Sequence, residues 1–502
     1  MGTVLIYLVV FLILVCVWKY FSKSSKVKRL PPCPPGKPLL GNLLNLKRSP
    51  HLKFDEWAKL YGPIFTWTVF NTRGVTVNKA DLVRKLLTHE SLAPYTNDRF
   101  STFQGEYVAW NYKDVLFGRG GDIHGRLRKA MHKGLRLYGD GVSTFENTVQ
   151  LELKRVVELI KGKDGKDFDP RPIISDSIGN LISILLSGDQ IESAEESKRI
   201  WKLSDQILLS LRPVFMSIME AAPFLRHFPG PIRNTVRDVL AARDEVICKY
   251  YRIARETYEP GKTRGYVDAL IKLQEEEVDE NGVSWLKDEH IKGLIVDMVF
   301  GGLMTTTNAI LIAILVLINH PACLEKLKKE VLDAIGPDRP PSLKDREDMP
   351  YTQAVIFETL RYSAHVSVPP PHRCTADIEF EGYTIPQDSI ILLNLWSIHH
   401  DIDVWTDPWQ FRPERFLDDH GELLPPEHNL RQSLILFGVG RRSCVGETMA
   451  RSRMFLYLAT LIQHFDLELP KDHDIVSHDP RGYSETVILQ PPKYFVTAVP
   501  QI

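Results

Sequence analysis

The sequence predicts a mainly α-helical protein with small β-sheets, a single large domain behind an N-terminal transmembrane anchor. Three observations carry this. Apolar residues recur at helical spacing along most of the chain, strand-like runs are few and short, and the first twenty residues are almost wholly apolar.

The anchor comes first. VLIYLVVFLILVCVW, from Val4 to Trp18, carries no charge, and Tyr20 and Phe21 extend it past Lys19. About 17–25 apolar residues span a bilayer, so residues 1–21 suffice. No basic segment precedes the run and no small-x-small site comes after it, which argues against a cleaved signal. Lys23, Lys26, Lys28 and Arg29 come next and hold the C-terminal side in the cytoplasm. Residues 22–42 form a basic, proline-rich hinge containing LPPCPPGKPLLGN, stiff enough to orient the domain attached to it.

Residues 43–502 form the remaining domain. Helices are expected at Asn147 to Lys161, Ser197 to Ser210, Val236 to Leu273 and Tyr351 to Tyr362. Strands are expected at Ile64 to Thr68, Val75 to Asn78 and Ile390 to Leu395. Ile291 to Ile318 is apolar enough to mimic a second membrane span. Asp297, the threonines at 305–307, Asn308 and the Gly301-Gly302 pair instead make it a helix buried through a soluble domain. Its glycines mark a place where something comes close to the backbone.

Composition narrows the function. With 62 basic and 63 acidic residues the net charge is −1, which leaves no footprint for nucleic acid. Six cysteines are scattered without a CxxC pair, so a disulfide scaffold or zinc ribbon is a poor reading. His399-His400-Asp401 lacks a spaced third ligand and reads as structural.

One cysteine stands apart. In FGVGRRSCVG, Phe437 to Gly446, Gly440 and Gly446 let a loop approach a bulky object, and Cys444 sits before the helical run from Glu447. A helix N-terminus favours thiolate, the form that binds metal, and Arg442 adds positive charge beside it. The pattern Phe-x-x-Gly-x-Arg-x-Cys-x-Gly resembles the heme-binding loop of the cytochrome P-450 family, whose cysteine is the proximal iron ligand. The resemblance extends over nearly the whole chain and, in detail, to the animal microsomal group that includes steroid 17α-hydroxylase and xenobiotic-metabolising enzymes.

The resemblance implies heme b, with Cys444 as iron ligand and Arg442, His372, Arg128, Phe437 and Gly440 around the cofactor. Glu358, Arg361 and Arg415 match the family's buried Glu-Arg-Arg network and are structural. His124 stands where the family places a tryptophan ahead of Arg128. In the long helix Gly302 and Thr305 match the oxygen-handling motif, but Met304 replaces the acid before Thr305. The implied substrate pocket comprises Phe103, Phe215, Leu303, Val366, Val368 and Val487, within apolar stretches reaching Phe224, which suits a lipophilic small molecule such as a steroid, lipid, terpenoid or xenobiotic. The implied reaction is monooxygenation at the endoplasmic reticulum membrane. Electrons come from NADPH–cytochrome P-450 reductase, docked on Arg126, Lys129, Lys133, Arg136 and Arg441, with cytochrome b5 as a second partner. Because Met304 cannot relay protons, a heme-thiolate isomerase or dehydratase that works without reductase is the alternative.

Overall fold

The computed structural model describes residues 29–46, 49–136, 142–188, 191, 193–484 and 486–501. The expected anchor at residues 1–21, and residues 22–28 of the hinge, lie outside the described residues. From Arg29 the proline-rich segment lies against the first strand: Thr66 donates its backbone N–H to the Pro32 carbonyl at 2.7 Å. Asn42 holds the same edge, its Oδ1 accepting from Thr68 N at 3.0 Å. Gly41 turns the chain at φ +59°, where a Cβ would sit 2.3 Å from the Thr68 carbonyl. Only glycine fits this turn.

The elements that position the site run in chain order. Helix α1 (Pro50–Tyr61) leads into the hairpin β1 (Ile64–Val69) and β2 (Thr72–Val77), then α2 (Ala80–Thr88) and the short β3 (Asp98–Arg99). Helices α3 (Asp122–Arg136), α4 (Val142–Lys161), α5 (Arg171–Ser187), α6 (Ala194–Ser210), α7 (Pro213–Ala221), α8 (Pro231–Ile247) and α9 (Tyr266–Glu276) come next. They precede the long α10 (Asp288–Ile318) and α11 (Pro350–Ser363), with β4 (His372–Arg373), β5 (Ile390–Leu393) and α12 (Glu447–His464) closing the set. One sheet runs β1-β2-β5-β4-β3, with β2 and β5 parallel and the other pairs antiparallel.

Helix α10 is apolar all round, and such a helix must be buried. Its 31 residues run about 46 Å, between α5, α6, α11 and α12. Asp288 and Glu289 in its first turn suit the positive end of the dipole. This segment is a buried helix and not a membrane span, in agreement with the sequence reading.

Two boundaries differ from the sequence reading. Val236 to Leu273 is not one helix: α8 continues through a π turn at Cys248–Arg252 and ends at Glu256. Pro260 cannot continue a helix and Gly261 takes φ +89°, so the chain leaves helical geometry until Tyr266. The strand from Ile390 stops at Leu393, because Asn394 caps a short helix by accepting from Ser397 N.

Glu358, Arg361 and Arg415 form a closed, buried network. Arg361 grips Glu358 through Nε and Nη2 at 2.7 and 2.8 Å, and Arg415 Nε reaches the same carboxylate at 3.0 Å. Spare guanidinium protons go to the carbonyls of His399 and Thr406. The neighbouring histidines are also turned inward: His399 Nε2 accepts from Ile435 N, and His400 packs flat on Trp409. Removing one partner from such a network strands a buried charge, at a cost of about 3–5 kcal/mol. Glu358→Ala should therefore unfold at markedly lower denaturant concentration. Arg361→Lys should be destabilised in the same direction, since lysine cannot bind bidentately; a wild-type midpoint in either variant contradicts this account.

Candidate active site

A cavity of about 790 Å³ opens between the middle of α10 and the loop leading into α12. Gly301, Gly302, Thr305 and Thr306 border it from α10; Phe437, Ser443, Cys444 and Gly446 border it from the loop. The paired glycines differ. A Cβ on Gly302 would lie 2.6 Å from Ile182 of α5, whereas the same position on Gly301 is open space. The close approach is thus a neighbouring helix at Gly302, and the cavity itself at Gly301. The Thr305 hydroxyl donates to the Gly301 carbonyl one turn back.

The loop is folded tightly, with Cys444 N donating to the Phe437 carbonyl at 2.7 Å. Gly440 does not border the cavity. It adopts φ +68° with its α-carbon against α2, where a Cβ would come 3.1 Å from the Leu87 carbonyl. Its glycine serves the turn rather than access by a bulky group. Burial pushes the Cys444 thiol up, opposed by the backbone N–H groups of Gly446 and Glu447 and by Arg128. The cation beside this thiol is therefore Arg128, which donates to the Ser443 carbonyl at 2.6 Å, and not Arg442 as the sequence suggested. Without a metal the desolvated thiol favours its neutral form, and a bound cation reverses that preference.

Arg442 turns away from the thiol. Its Nε donates to the Asn97 carbonyl at 2.7 Å and its Nη1 to His124 Nε2 at 2.6 Å, while Nη2 is buried with no partner among the described residues. An arginine only donates, so the bond from Arg442 requires an unprotonated His124 Nε2, and the Val115 carbonyl 3.1 Å from that nitrogen takes its hydrogen bond from Arg442 Nη1 instead. Burial and Arg442 together lower His124 to about 4. Arg99, on β3, completes the corner by donating to the carbonyls of Leu116 and Pro370. Burial and the Arg442 charge bring it down to about 9. His372 spends Nδ1 on the Thr96 carbonyl at 2.8 Å. Arg99, His124, Arg128, His372 and Arg442 all border the cavity. Three guanidiniums crowded at one desolvated edge, one with an idle donor, call for an anion.

The apolar wall agrees with the sequence reading in part. Phe103, Val366, Val368 and Val487 line the cavity, and the last three are brought together by pairing of Val366 with Ile488 and of Ser367 N with the Val487 carbonyl. Phe215 does not line it. Its ring packs edge-on against Phe103 at 5.5 Å, one layer behind. Phe224 is exposed at the surface. Leu303 faces away from the cavity into the core, fully buried. Met304 is also turned away, its sulfur accepting from Gln490 Nε2 at 3.4 Å.

Among the polar cavity residues that escaped the sequence reading of the site, three bear on its chemistry. Arg99 sits in an unremarkable NDRF stretch, and nothing local marks it. His365 lies just past the Glu-x-x-Arg helix, borders the cavity and hydrogen-bonds through its ring to the Thr305 backbone. Asp297 was visible as a lone acid in an apolar run, but only as evidence against a membrane span.

A thiol on one wall, a threonine hydroxyl on the other and a buried cationic rim between them define the heme-thiolate class of protein. The family model for Cytochrome P450 matches residues 31–498, and the chain belongs to that family. It is 30% identical to cytochrome P450 2E1 of Oryctolagus cuniculus, covering 98% of this chain and 97% of that protein. It is 29% identical to cytochrome P450 1A1 of Felis catus over 89% and 88%, and 28% identical to steroid 17-alpha-hydroxylase/17,20 lyase of Ictalurus punctatus over 94% and 91%. The protein is accordingly a heme-dependent monooxygenase. These relatives give the isomerase alternative no support.

Several buried histidines bear on acid stability. Burial lowers His51, His124, His290 and His365 each to about 4, below the ordinary 6.5. The unfolded chain thus takes up protons first as pH falls, and stability declines from about pH 6.5 down to about 4. Melting temperature should drop across that window. His51→Gln, a residue that does not itself line the cavity, should flatten the decline; an unchanged slope would count against the assignment.

Proposed function

We propose that the protein is a membrane-anchored monooxygenase of the endoplasmic reticulum that oxidises a lipophilic small molecule with electrons from NADPH–cytochrome P450 reductase. Cys444 supplies the thiolate to the iron, and Arg99, His124, Arg128, His372 and Arg442 receive the propionates. The observation that carries this is the idle, buried Nη2 of Arg442 at the rim of the same cavity that Cys444 borders. Bound there, heme would supply dioxygen activation, and Cys444 would hold it through its thiolate. The chain supplies the rest. Apolar walls exclude bulk water and orient substrate, and the Thr305 hydroxyl, parked on the Gly301 carbonyl at the cavity edge, is placed to pass a proton to or from a water admitted there.

Substrate and membrane meet at the cavity mouth. Leu43 and Pro223 both border it, and next to them Leu44, Phe224 and Phe228 are exposed. This apolar rim suits a mouth resting on the bilayer, where a lipophilic substrate partitions. Beneath the cysteine loop, Lys129, Lys133 and Arg441 are exposed and suit an acidic electron donor, the reductase or cytochrome b5. Arg126 contributes less, since it lies over the Trp285 ring and near Glu277.

The reduced, carbon-monoxide-bound protein should show the red-shifted Soret band of a thiolate ligand, and Cys444→Ser should abolish it. Reversing Lys129, Lys133 and Arg441 to Glu should leave that band intact and lower reductase-supported NADPH consumption on a steroid and fatty-acid panel, most steeply at low salt. Full turnover in the reversed variant would reject the docking face.

A further inference from the structure

The segment from Asp114 to Phe117 joins two parts of the site. Val115, Leu116 and Phe117 form cavity wall. The Val115 carbonyl faces Arg442 and His124, and the Leu116 carbonyl accepts from Arg99, so the wall is tied to the cationic corner. Their backbone N–H groups point the other way, into α10, where Asp297 Oδ2 accepts from Val115 N at 2.7 Å and Leu116 N at 3.2 Å. The segment lies hard on the helix: a Cβ on Gly293 would stand 2.3 Å from the Lys113 carbonyl. Just before it come three consecutive non-glycine residues, Trp110, Asn111 and Tyr112, with left-handed backbone. Such a conformation persists only where surrounding contacts enforce it.

Asp297 is not alone. Asp114 Oδ2 accepts from Phe117 N at 2.9 Å, and its carboxyl lies within hydrogen-bonding reach of the Asp297 carboxyl. The Oδ1 atoms of both carboxyls are buried, and no donor from elsewhere in the described chain reaches either. Two carboxylates cannot sit in contact in a dry interior; two carboxyls sharing one proton can. One proton on the Asp114–Asp297 pair leaves every oxygen partnered.

We propose that Asp114 and Asp297 form a proton-bridged pair that fixes the wall Val115–Leu116 against the cavity and thereby sets the length of ligand accepted above the iron. Asp114 is a positioning residue acting through Asp297 and the backbone of the wall, while Asp297, which also borders the cavity, holds that backbone directly. The charged and titratable groups facing the pair are Arg99 and Arg442 from the cavity corner and Tyr266 from α9; along α10, His290 faces Lys113 next door. Burial raises both carboxyls, which keeps the shared proton at neutral pH. As pH rises the proton leaves, two like charges face each other, and the wall loosens. The direction is loss of the fixed wall with alkali.

The test rests on the heme reading above and uses azoles, which ligate the iron and extend different distances into the cavity. Dissociation constants are read from the optical shift of holoenzyme with imidazole and with 4-(4-biphenylyl)imidazole. Asp114→Ala should weaken the biphenyl probe about tenfold and leave imidazole unchanged. Asp114→Asn should rescue it, because an amide N–H donates to Asp297 where the shared proton did. From about pH 7 to about pH 9 the wild type should lose affinity for the long probe and Asp114→Asn should hold it, each compared with imidazole at the same pH. Equal long-probe affinity in Asp114→Ala and wild type overturns the proposal, as do parallel pH profiles in wild type and Asp114→Asn. If Asp114→Ala does not fold, those profiles decide. Failure of imidazole to bind wild type would reject the heme reading instead.

Discussion

Everything in this molecule is arranged around the need to bury α10. A helix apolar on every side cannot rest on a surface, and its polar residues are then met wherever they fall. Asp297 meets the backbone of the wall, Asn308 meets the Leu489 carbonyl, and Thr305 folds back on its own helix. The flanking helices α5, α6, α11 and α12 cover much of it, but the face of Gly301, Gly302 and Thr305 borders the cavity, and at Gly301 nothing stands within reach of a side chain. The active site is the one stretch of this burial that the protein itself leaves unfinished.

Two clusters of buried charge show how structural and functional polarity differ here. Around Glu358 the charges are closed: two guanidiniums share one carboxylate and the remaining donors reach carbonyls. Nothing further is needed, and nothing else fits. Around Arg442 the cluster stays open. Asp98 and Asp114 offset part of the charge, yet an idle guanidinium nitrogen remains and the cluster borders a cavity. Buried polar groups are almost always satisfied. An exception on a residue that borders a cavity therefore bears on what that cavity holds.

The elements legible from sequence were those that local pattern or motif determines. Apolar period alone found α10, α11 and the first hairpin within a few residues, and the cysteine loop identified the site from ten residues. What escaped depended on direction. Leu303 and Met304 lie in the right motif, but each successive helical residue turns by about 100°, which carries both off the cavity face that Gly301, Gly302 and Thr305 share. Phe215 sits one layer too deep for the same kind of reason. Arg99 escaped because its partners are the carbonyls of Leu116 and Pro370, far apart in sequence. Gly440 was placed correctly and explained wrongly: the turn against α2, not a bulky neighbour, demands it.

Met304 stands off the cavity face of α10. An acid at this position would point toward the 484–490 segment, where the methionine sulfur now meets Gln490. Substitution there removes a charge from the flank of the helix rather than from the cavity face, and it leaves the Thr305 hydroxyl and the open face at Gly301 intact. Proton movement beside Thr305 then depends on water admitted to that face and on how dry the opposite wall keeps it. The wall is Val115 and Leu116, tied at one end to Arg99 and Arg442 and at the other to Asp297. On the proposed reading, what governs water beside Thr305 is therefore the shape of the cavity, set partly from its far side by this loop, more than the side chain at 304.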